Sequence, residues 1–290
     1  MNSSSNVCIV KDEARQFYED CMRCLKNEGI DFLVGGAYAL AHYTGIVRYT
    51  KDLDLFIRPR DLERCMKALE KYSYRTEVTF PIWLAKAFCG NDFVDIIYRS
   101  GNGLAEVDDA WFDYATPANV LDCDVRLCPV EETILSKAFI MERERYDGAD
   151  ILHYIHACAE TMDWDRLLQR FEEHWRVLLS HLVLFGFVYP GSKHRVPKWV
   201  MEVLCDALRE DESEAHQHRF TRLCNGPLLS RVHYIVDTTQ GGYRDARFSP
   251  RGSLSRDDIA KWKEELERTR DDIARTQGIS LQHSEARYPN

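Results

Sequence analysis

A chain of 290 residues is long enough to form one large domain or two ordinary ones around a buried core. Its 45% hydrophobic and 29% charged residues are ordinary for a soluble globular protein. The net charge of −9 argues against broad, nonspecific coating of nucleic acid, although it leaves room for a local basic groove.

The sequence carries no pattern for export or for a membrane. Its start, M-N-S-S-S-N-V-C-I-V-K-D-E, lacks both the basic residues and the long apolar core of a signal peptide. The longest apolar segment, Val177 to Tyr189, is shorter than the roughly 20 residues that a membrane span needs, and His181 interrupts it. We therefore expect a cytoplasmic protein without a membrane partner.

The first 127 residues alternate between helical and strand patterns. Apolar spacing and length predict helices over 12–28, 37–44 and 61–72, and strands over 30–34, 46–58 and 92–98. This alternation argues for an α/β or α+β domain. We predict the α+β class, with an N-terminal mixed sheet that is flanked by helices.

The pattern becomes mainly helical after Pro129. Helices are predicted over 130–139, 147–161, 164–181 and 197–209, with one strand over 232–236, a turn-rich loop over 238–253 and a capped helix from Ser255 to about Arg275. We therefore divide the chain into an N-terminal domain (1–127), a helical region that packs on it (128–237), and a loop with a C-terminal helix (238–290).

Two clusters in the sequence contain residues that could ligate a metal. Cys21-x-x-Cys24 lies in a helical pattern without the second C-x-x-C of a zinc site, and His153, His156 and Cys158 lie on another predicted helix. Packing explains both clusters better. Because nothing points to an oxidising compartment, we expect the ten cysteines to be free thiols.

Three aspartates interrupt apolar strand patterns. Side chains alternate along a strand, so Asp52 and Asp54 point to the same face. Two such carboxylates lie within roughly 7 Å and repel each other unless a cation lies between them. Oxygen ligands of this kind suit Mg²⁺ or Mn²⁺. Asp95, in D-F-V-D-I-I-Y, supplies the third carboxylate of a two-metal site if its strand is adjacent.

Two glycines, Gly35 and Gly36, lie between the strand over 30–34 and the helix over 37–44. A glycine turn that leads into a helix presents backbone N–H groups, and phosphate is the usual ligand of such a helix start. Each feature alone has a simpler explanation: a tight turn for G-G, a solvated strand end for D-x-D, and an edge residue for Asp95. Their joint order is more specific and points to nucleotide chemistry.

That order resembles the polymerase-β-like nucleotidyltransferase superfamily, in which a G-G or G-S turn precedes a D-x-D strand and a later third aspartate. The matching residues are Gly35-Gly36, Asp52-Leu53-Asp54 and Asp95. The long gap between G-G and D-x-D, and R-Y-T-K before D-L-D, look most similar to the abortive-infection (AbiEii-type) and related minimal branch. The resemblance covers roughly residues 30–160.

A second segment, P-V-E-E-T-I-L-S-K-A-F-I-M-E-R-E-R-Y-D-G-A-D-I, is similar to the part of that branch that follows the sheet. The positions that match are Lys137, Arg143 or Arg145, Asp147 and Asp150. The same residues would also suit an ion-pair network between helices, and Lys137 would also suit a surface position.

The resemblance implies a metal-dependent transfer of a nucleoside monophosphate from an NTP to an acceptor hydroxyl. Asp52 and Asp54 would hold Mg²⁺ (or Mn²⁺) on the triphosphate. Asp95 would complete a second metal site and help to activate the hydroxyl, which attacks the α-phosphorus in line while pyrophosphate leaves.

The resemblance also implies which groups bind the nucleotide. Gly35 and Gly36 would bind phosphate through the backbone, with Lys137 as a charge partner. Arg48 would reach a phosphate or pair with an acid.

The acceptor stays open between tRNA or another RNA, a protein and a small molecule. A toxin-type enzyme would have a cognate antitoxin as its partner. The alternatives are an inactive nucleotide-binding or interaction module of the same fold and a small-molecule transferase of the aminoglycoside type. The intact set of three aspartates favours activity, because a decayed site would be expected to lose at least one of them.

Overall fold

The computed structural model describes residues 12–211, 222–230, 232–249 and 252–277. It has the predicted α+β class, with a mixed sheet in the first 127 residues and mainly helices after them. The start of the chain, on which the signal-peptide argument depends, lies outside the described residues.

The secondary structure follows the chain in this order. The strands are β1 (Leu33–Val34), β2 (Asp52–Phe56), β3 (Arg75–Phe80), β4 (Leu84–Cys89), β5 (Asp92–Ile97), β6 (Thr116–Val120), β7 (Cys123–Leu127), β8 (Leu223–Cys224) and β9 (Arg244–Asp245). The helices are α1 (Asp12–Asn27), α2 (Gly36–Thr44), α3 (Leu62–Lys71), α4 (Asp109–Asp113), α5 (Val130–Ala138), α6 (Gly148–Cys158), α7 (Trp164–Phe171), α8 (Trp175–Val188), α9 (Lys198–Asp211), α10 (Gly226–Leu229), α11 (Ile235–Thr239) and α12 (Arg256–Gln277).

Seven strands form one mixed sheet in the order β3-β4-β5-β2-β1-β7-β6. β2 is parallel to β5 and β1 is parallel to β7, whereas the other neighbouring strands are antiparallel. The strand β2 is therefore at the centre of the sheet, with β5 hydrogen-bonded along one side and β1 along the other.

The two faces of the sheet are covered by different helices. Leu53, Leu55 and Ile96 are buried on the face that packs against α1 and α3. On the opposite face, Phe56 and Trp111 join a core that includes residues of α5, α6, α7 and α8. Because side chains alternate along a strand, Asp52 and Asp54 of β2 and Asp95 of β5 face this second group of helices.

Several predicted elements differ from the structure. The strand predicted over 46–58 spans only Asp52–Phe56. The segment before it turns away from the sheet, because Arg48 pairs with Asp150 on α6. The strand predicted over 232–236 is wrong: turn residues lead there into the short helix α11. Valine and isoleucine are only a weak prior for a strand in so short a segment.

Further differences concern short elements with weak patterns. The loop predicted over 238–253 contains the two-residue strand β9 and a 3₁₀ turn, Ala246–Phe248. Strands β3, β4, β6 and β7 were not predicted; β3 is largely exposed and therefore lacks a clear apolar face. The C-terminal helix is confirmed as α12.

The described part of the chain contains most of the cysteines and the longest apolar segment. Nine cysteines there are free thiols, and neither Cys21-x-x-Cys24 nor the cluster around His153 belongs to a group that could hold a metal ion. Among the helices that the structure describes, none combines the length and the apolar character needed to cross a membrane.

Candidate active site

The three aspartates lie side by side at the centre of the sheet. β2 and β5 are parallel and in register, so Asp54 lies directly beside Asp95. Asp52 is two residues before Asp54 and therefore on the same face. This placement agrees with the sequence prediction, and it follows from a strand pairing that no local pattern specifies.

Asp54 is packed against the start of helix α2. Gly36 has a φ of +55°, and a Cβ atom at this position would overlap the Oδ2 atom of Asp54. The glycine is therefore required by the closeness of the carboxylate as well as by its left-handed backbone. A Cβ on Gly35 would likewise overlap the ring of Phe56.

The glycine turn offers fewer backbone donors than the sequence suggests. The N–H of Gly35 donates to the carbonyl oxygen of Asp54 at 3.0 Å, so this group holds the turn against β2. The N–H groups in the first turn of α2 have no partner within the helix and point out of its N-terminus. Any phosphate contact at this turn would therefore use Gly36 and the residues that follow it.

The crowding of the carboxylates changes their protonation. Burial, together with the negative charges of Asp52 and Asp95, raises the pKa of Asp54 to about 7, while Lys137 and Arg145 oppose the shift. Burial also raises the pKa of Asp95, although Lys86 counters part of this effect. The three carboxylates thus lie close enough together to repel one another, and the nearby Lys86, Lys137 and Arg145 only partly offset this repulsion.

Lys86 is the cation that directly contacts this group. It lies on β4 opposite Asp95, its Nζ is 2.6 Å from the Asp95 Oδ1 atom, and it lies 3.9 Å from the centre of the Phe93 ring. The side chains of Lys86 and Asp95 are 19% and 15% exposed. This is a largely buried ion pair that the sequence analysis missed, although the alternating L-A-K-A-F-C pattern of β4 contains a signal for it.

A second group of charges lies on α5 and the start of α6. The Nζ of Lys137 is 2.7 Å from Asp147 and 2.9 Å from Asp150, and Arg145 also pairs with Asp147. Arg48 completes the group with a 2.6 Å contact to Asp150. The ion-pair network considered for these residues is therefore present, and it joins α5 to α6.

This network is positively charged overall. It contains three cations and two carboxylates. Burial raises the pKa of Asp147 and Asp150, but Lys137 together with Arg145 at Asp147, and with Arg48 at Asp150, outweighs burial and lowers both pKa values. Lys137 and Arg145 line the same cavity as Asp54. Arg48 pairs with an acid, which was one of its two predicted roles, and Arg143 is exposed beside Glu144.

A cavity of about 230 Å³ extends from the aspartates between the sheet and the helices. One end is lined by Gly36, Asp54 and Asp95, and the basic side chains of Lys137 and Arg145 border it. Aromatic and apolar residues line much of the remainder: Phe56, Trp83, Ile97, Trp111, Phe139 and Ile140. Polar and charged residues line it as well: Arg99, Ser100, Asn102, Thr133, Ser136 and Glu142. The cavity therefore joins the aspartates to a mainly apolar space that also contains polar groups.

The far wall of the cavity comes from the C-terminal part of the chain, at helix α10. Asn102 donates a 2.9 Å hydrogen bond to the carbonyl of Leu228, and the N–H of Met141 donates to the carbonyl of Leu229 at 3.1 Å. Ser230 donates to Glu142 at 2.7 Å. These bonds fix the wall to both the sheet and the helical region, and no pattern in N-G-P-L-L indicates this role.

The donor set fits a divalent cation, although it is not arranged as a finished metal site. Three carboxylates on one face of two adjacent strands are hard oxygen ligands, and Asp54 is held against a glycine that leaves it space. One oxygen of Asp95 contacts Lys86, and one oxygen of Asp52 accepts a 2.9 Å hydrogen bond from Thr50. Within the described residues, no three Asp, Glu, His or Cys side chains already form a ligand set.

Comparison with known proteins gives similarity only at the level of structure. No family model matches the sequence. No curated protein matches it either. Several solved structures are similar to the fold, and nucleotidyltransferases are among them.

Three of these structures illustrate the similarity. The antibiotic-resistance factor ANT(2'')-Ia is 15% identical, with 59% of this chain and 98% of that chain covered and a TM-score of 0.43. An antigenic nucleotidyltransferase-like protein from Paracoccidioides brasiliensis is 15% identical, with 64% and 93% covered and a TM-score of 0.42. The lincosamide antibiotic adenylyltransferase LnuA is 15% identical, with 50% and 96% covered and a TM-score of 0.36. At this identity and TM-score the similarity carries no argument about function.

Proposed function

We propose that this protein is a nucleotidyltransferase that moves a nucleoside monophosphate from an NTP to an acceptor hydroxyl. The observation that carries the proposal is the parallel register of β2 and β5, which aligns Asp54 with Asp95 beside the glycine turn. The resemblance to the polymerase-β-like superfamily in these same residues adds to it. The AbiEii-type branch, a toxin role, an antitoxin partner and a cytoplasmic location stay predictions.

The metal that the resemblance implies is Mg²⁺ or Mn²⁺, with Asp52, Asp54 and Asp95 as the residues that would hold it. When bound, such a cation would neutralise triphosphate charge and favour loss of pyrophosphate. The raised pKa of Asp54 supports this assignment, because an added cation would relieve the repulsion that contributes to the shift.

The remaining charged residues suit the binding of phosphate. Lys137 and Arg145 line the cavity on the side opposite the sheet, and their network has one more cation than carboxylates. A triphosphate bound between the aspartates and α5 would lie next to the positive charges of Lys137 and Arg145. The N-terminus of α2 would add backbone donors at Gly36.

The cavity favours a small acceptor, or one exposed group of a larger acceptor. The whole cavity is about 230 Å³, and Pro227, Leu228 and Leu229 line its far side. Phe56 and Trp83 are half-buried aromatic side chains in the lining, where a ring system could contact them. This observation supports the small-molecule alternative beside RNA or protein acceptors, because a duplex or a folded partner would not enter such a space.

Transfer of label tests the proposal directly. Purified protein would be incubated with Mg²⁺ and each of the four α-³²P-labelled NTPs, separately with bulk tRNA, with cell lysate and with a library of hydroxyl-bearing small molecules. We expect label to move to one acceptor class and pyrophosphate to be released. Absence of transfer with every acceptor, together with retained nucleotide binding, would instead support the inactive binding module.

We expect nucleotide with Mg²⁺ to stabilise the folded protein. At a ligand concentration about 100 times its dissociation constant, binding contributes about 2.7 kcal/mol to the free energy of unfolding. For a chain of this size, that is a rise of roughly 4 °C in Tm. Differential scanning fluorimetry with each NTP would measure it.

Two controls separate this effect from nonspecific binding. EDTA should remove most of the rise, and so should Asp54→Asn. The matched variant Asp165→Asn, an exposed aspartate in the first turn of α7, should keep it. If no NTP raises Tm under saturating Mg²⁺, the phosphate-binding assignment of the Gly36 turn is wrong.

A further inference from the structure

Lys86, Asp95 and Asp54 form a row across three neighbouring strands. Asp54 is aligned with Asp95, and Asp95 is aligned with Lys86, so the three side chains follow one another on the same face. Glu77 is the next residue in the row on β3, but its carboxylate pairs with Arg75 at 2.9 Å. Lys86 is therefore committed to Asp95, at 2.6 Å.

The position of Lys86 is fixed by its surroundings. Its aliphatic stem crosses a largely buried surface, and its ammonium lies against the face of Phe93 as well as against Asp95. A lysine that only increased solubility would extend into water and pair weakly. Here the ammonium of Lys86 contacts one oxygen of Asp95, the third carboxylate of the site.

The charge balance distinguishes one metal ion from two. Asp52, Asp54 and Asp95 together carry three negative charges when ionised, and the ammonium of Lys86 reduces the sum to two. One divalent cation balances this remainder. A second cation next to Asp95 would have to approach an ammonium that already contacts one of its two oxygens, and this repulsion is strong where water is excluded.

We propose that the ammonium of Lys86 supplies the positive charge that a second divalent cation would otherwise supply beside Asp95. The site then binds one metal ion per chain, through Asp52 and Asp54. This inference rests on the proposed function, and it replaces the two-metal arrangement expected from the sequence. Asp95 then acts with Lys86 as a positioned ion pair at the cavity wall. This ion pair differs from a purely structural one because Lys86 limits the number of metal ions that the three aspartates bind.

The test is the stoichiometry of Mn²⁺ binding, measured by electron paramagnetic resonance on the full chain with MnCl₂ alone. We expect one Mn²⁺ per wild-type chain and two per Lys86→Met chain, because the variant removes the cation that directly contacts Asp95. Lys86→Arg keeps the charge and should bind one. The control Lys67→Met, at an exposed lysine on α3, should also bind one.

The outcomes separate this inference from the proposed function. Two Mn²⁺ ions in the wild-type chain would overturn the role of Lys86 and leave a two-metal transferase intact. No Mn²⁺ in the wild-type chain would overturn the metal assignment of the aspartates as well. One ion in both the wild type and a folded Lys86→Met variant would show that Lys86 does not limit the number. If Lys86→Met does not fold, Lys86→Gln, which also removes the charge, is measured in its place with the same expected result.

Discussion

Asp54→Asn is expected to reduce nucleotidyl transfer by roughly 10²- to 10³-fold, the scale seen when a group that stabilises the transition state is removed. Asp54 is the central residue of the three aspartates: it is aligned with Asp95, follows Asp52 on the same strand, and lines the cavity. Asparagine has nearly the same shape but no charge, so the packing against Gly36 is preserved. The loss should appear mainly in kcat, measured by transfer of the α-³²P label to the acceptor.

The same variant should be more stable than the wild type when metal is removed. The pKa of Asp54 is about 7 in the folded protein and roughly 4 in an unfolded chain. Protonated Asp54 therefore favours the folded state at low pH, and this contribution is lost as the pH rises from about 4 through about 7. In EDTA, Asp54→Asn should melt higher than the wild type at about pH 8, and the difference should shrink towards about pH 5.

Two outcomes would contradict the assignment of Asp54, each in a different way. Full activity of Asp54→Asn would exclude the carboxylate from the reaction. A lower Tm of the variant in EDTA at high pH would mean that the charge of Asp54 stabilises the fold. The exposed Asp165→Asn variant should change neither quantity by a comparable amount.

Gly36→Ala is the second change with a large expected effect, and it should impair both folding and transfer. The backbone at Gly36 is left-handed, which costs an L-residue roughly 1–2 kcal/mol. The added Cβ would also overlap the Asp54 carboxylate, so either α2 or the aspartate has to move. We expect the free energy of unfolding, measured with urea, to fall by more than the backbone cost alone.

Gly45→Ala provides a matched control at the other end of the same helix. Gly45 has a φ of +74°, but a Cβ there would have no neighbour within 4 Å. The free energy of unfolding of Gly45→Ala should therefore fall only by the backbone cost, and the variant should retain activity. If Gly36→Ala costs no more than Gly45→Ala and remains active, the contact with Asp54 does not constrain the site.

A double-mutant cycle would identify the contact itself. The cost of Gly36→Ala should be smaller in an Asp54→Ala background, because the oxygen that a Cβ would overlap is then absent. Additive costs would mean that the penalty comes from the backbone alone.

The central part of the site could be predicted from sequence because its signals are local. Alternation along a strand puts Asp52 and Asp54 on one face, and G-G before a helix indicates a turn. The neighbour of Asp54 depended on which strands pair, and the family resemblance supplied that order where periodicity could not. Lys86 was missed for the same reason: its importance comes from an alignment across β4 and β5 that exists only in the folded sheet.

The distant parts of the site could not be predicted because their contribution is not local. Leu228 and Leu229 resemble ordinary core residues in sequence, and their place in the cavity wall, held by the hydrogen bond from Asn102 to Leu228, exists only in the folded chain. Arg48 illustrates the opposite error, because the apolar residues around it suggested a longer strand, whereas its ion pair with Asp150 draws the chain towards α6.

The wall at α10 has a consequence for biosynthesis. The residues that line the cavity extend from Gly35 to Leu229, so the sheet leaves the ribosome long before the segment that closes the pocket. Contacts between such distant parts of a chain form late, because a long loop has to close first. A nascent chain would therefore present its aspartates in an open cleft until the segment around α10 has been synthesised and has packed against the rest of the site.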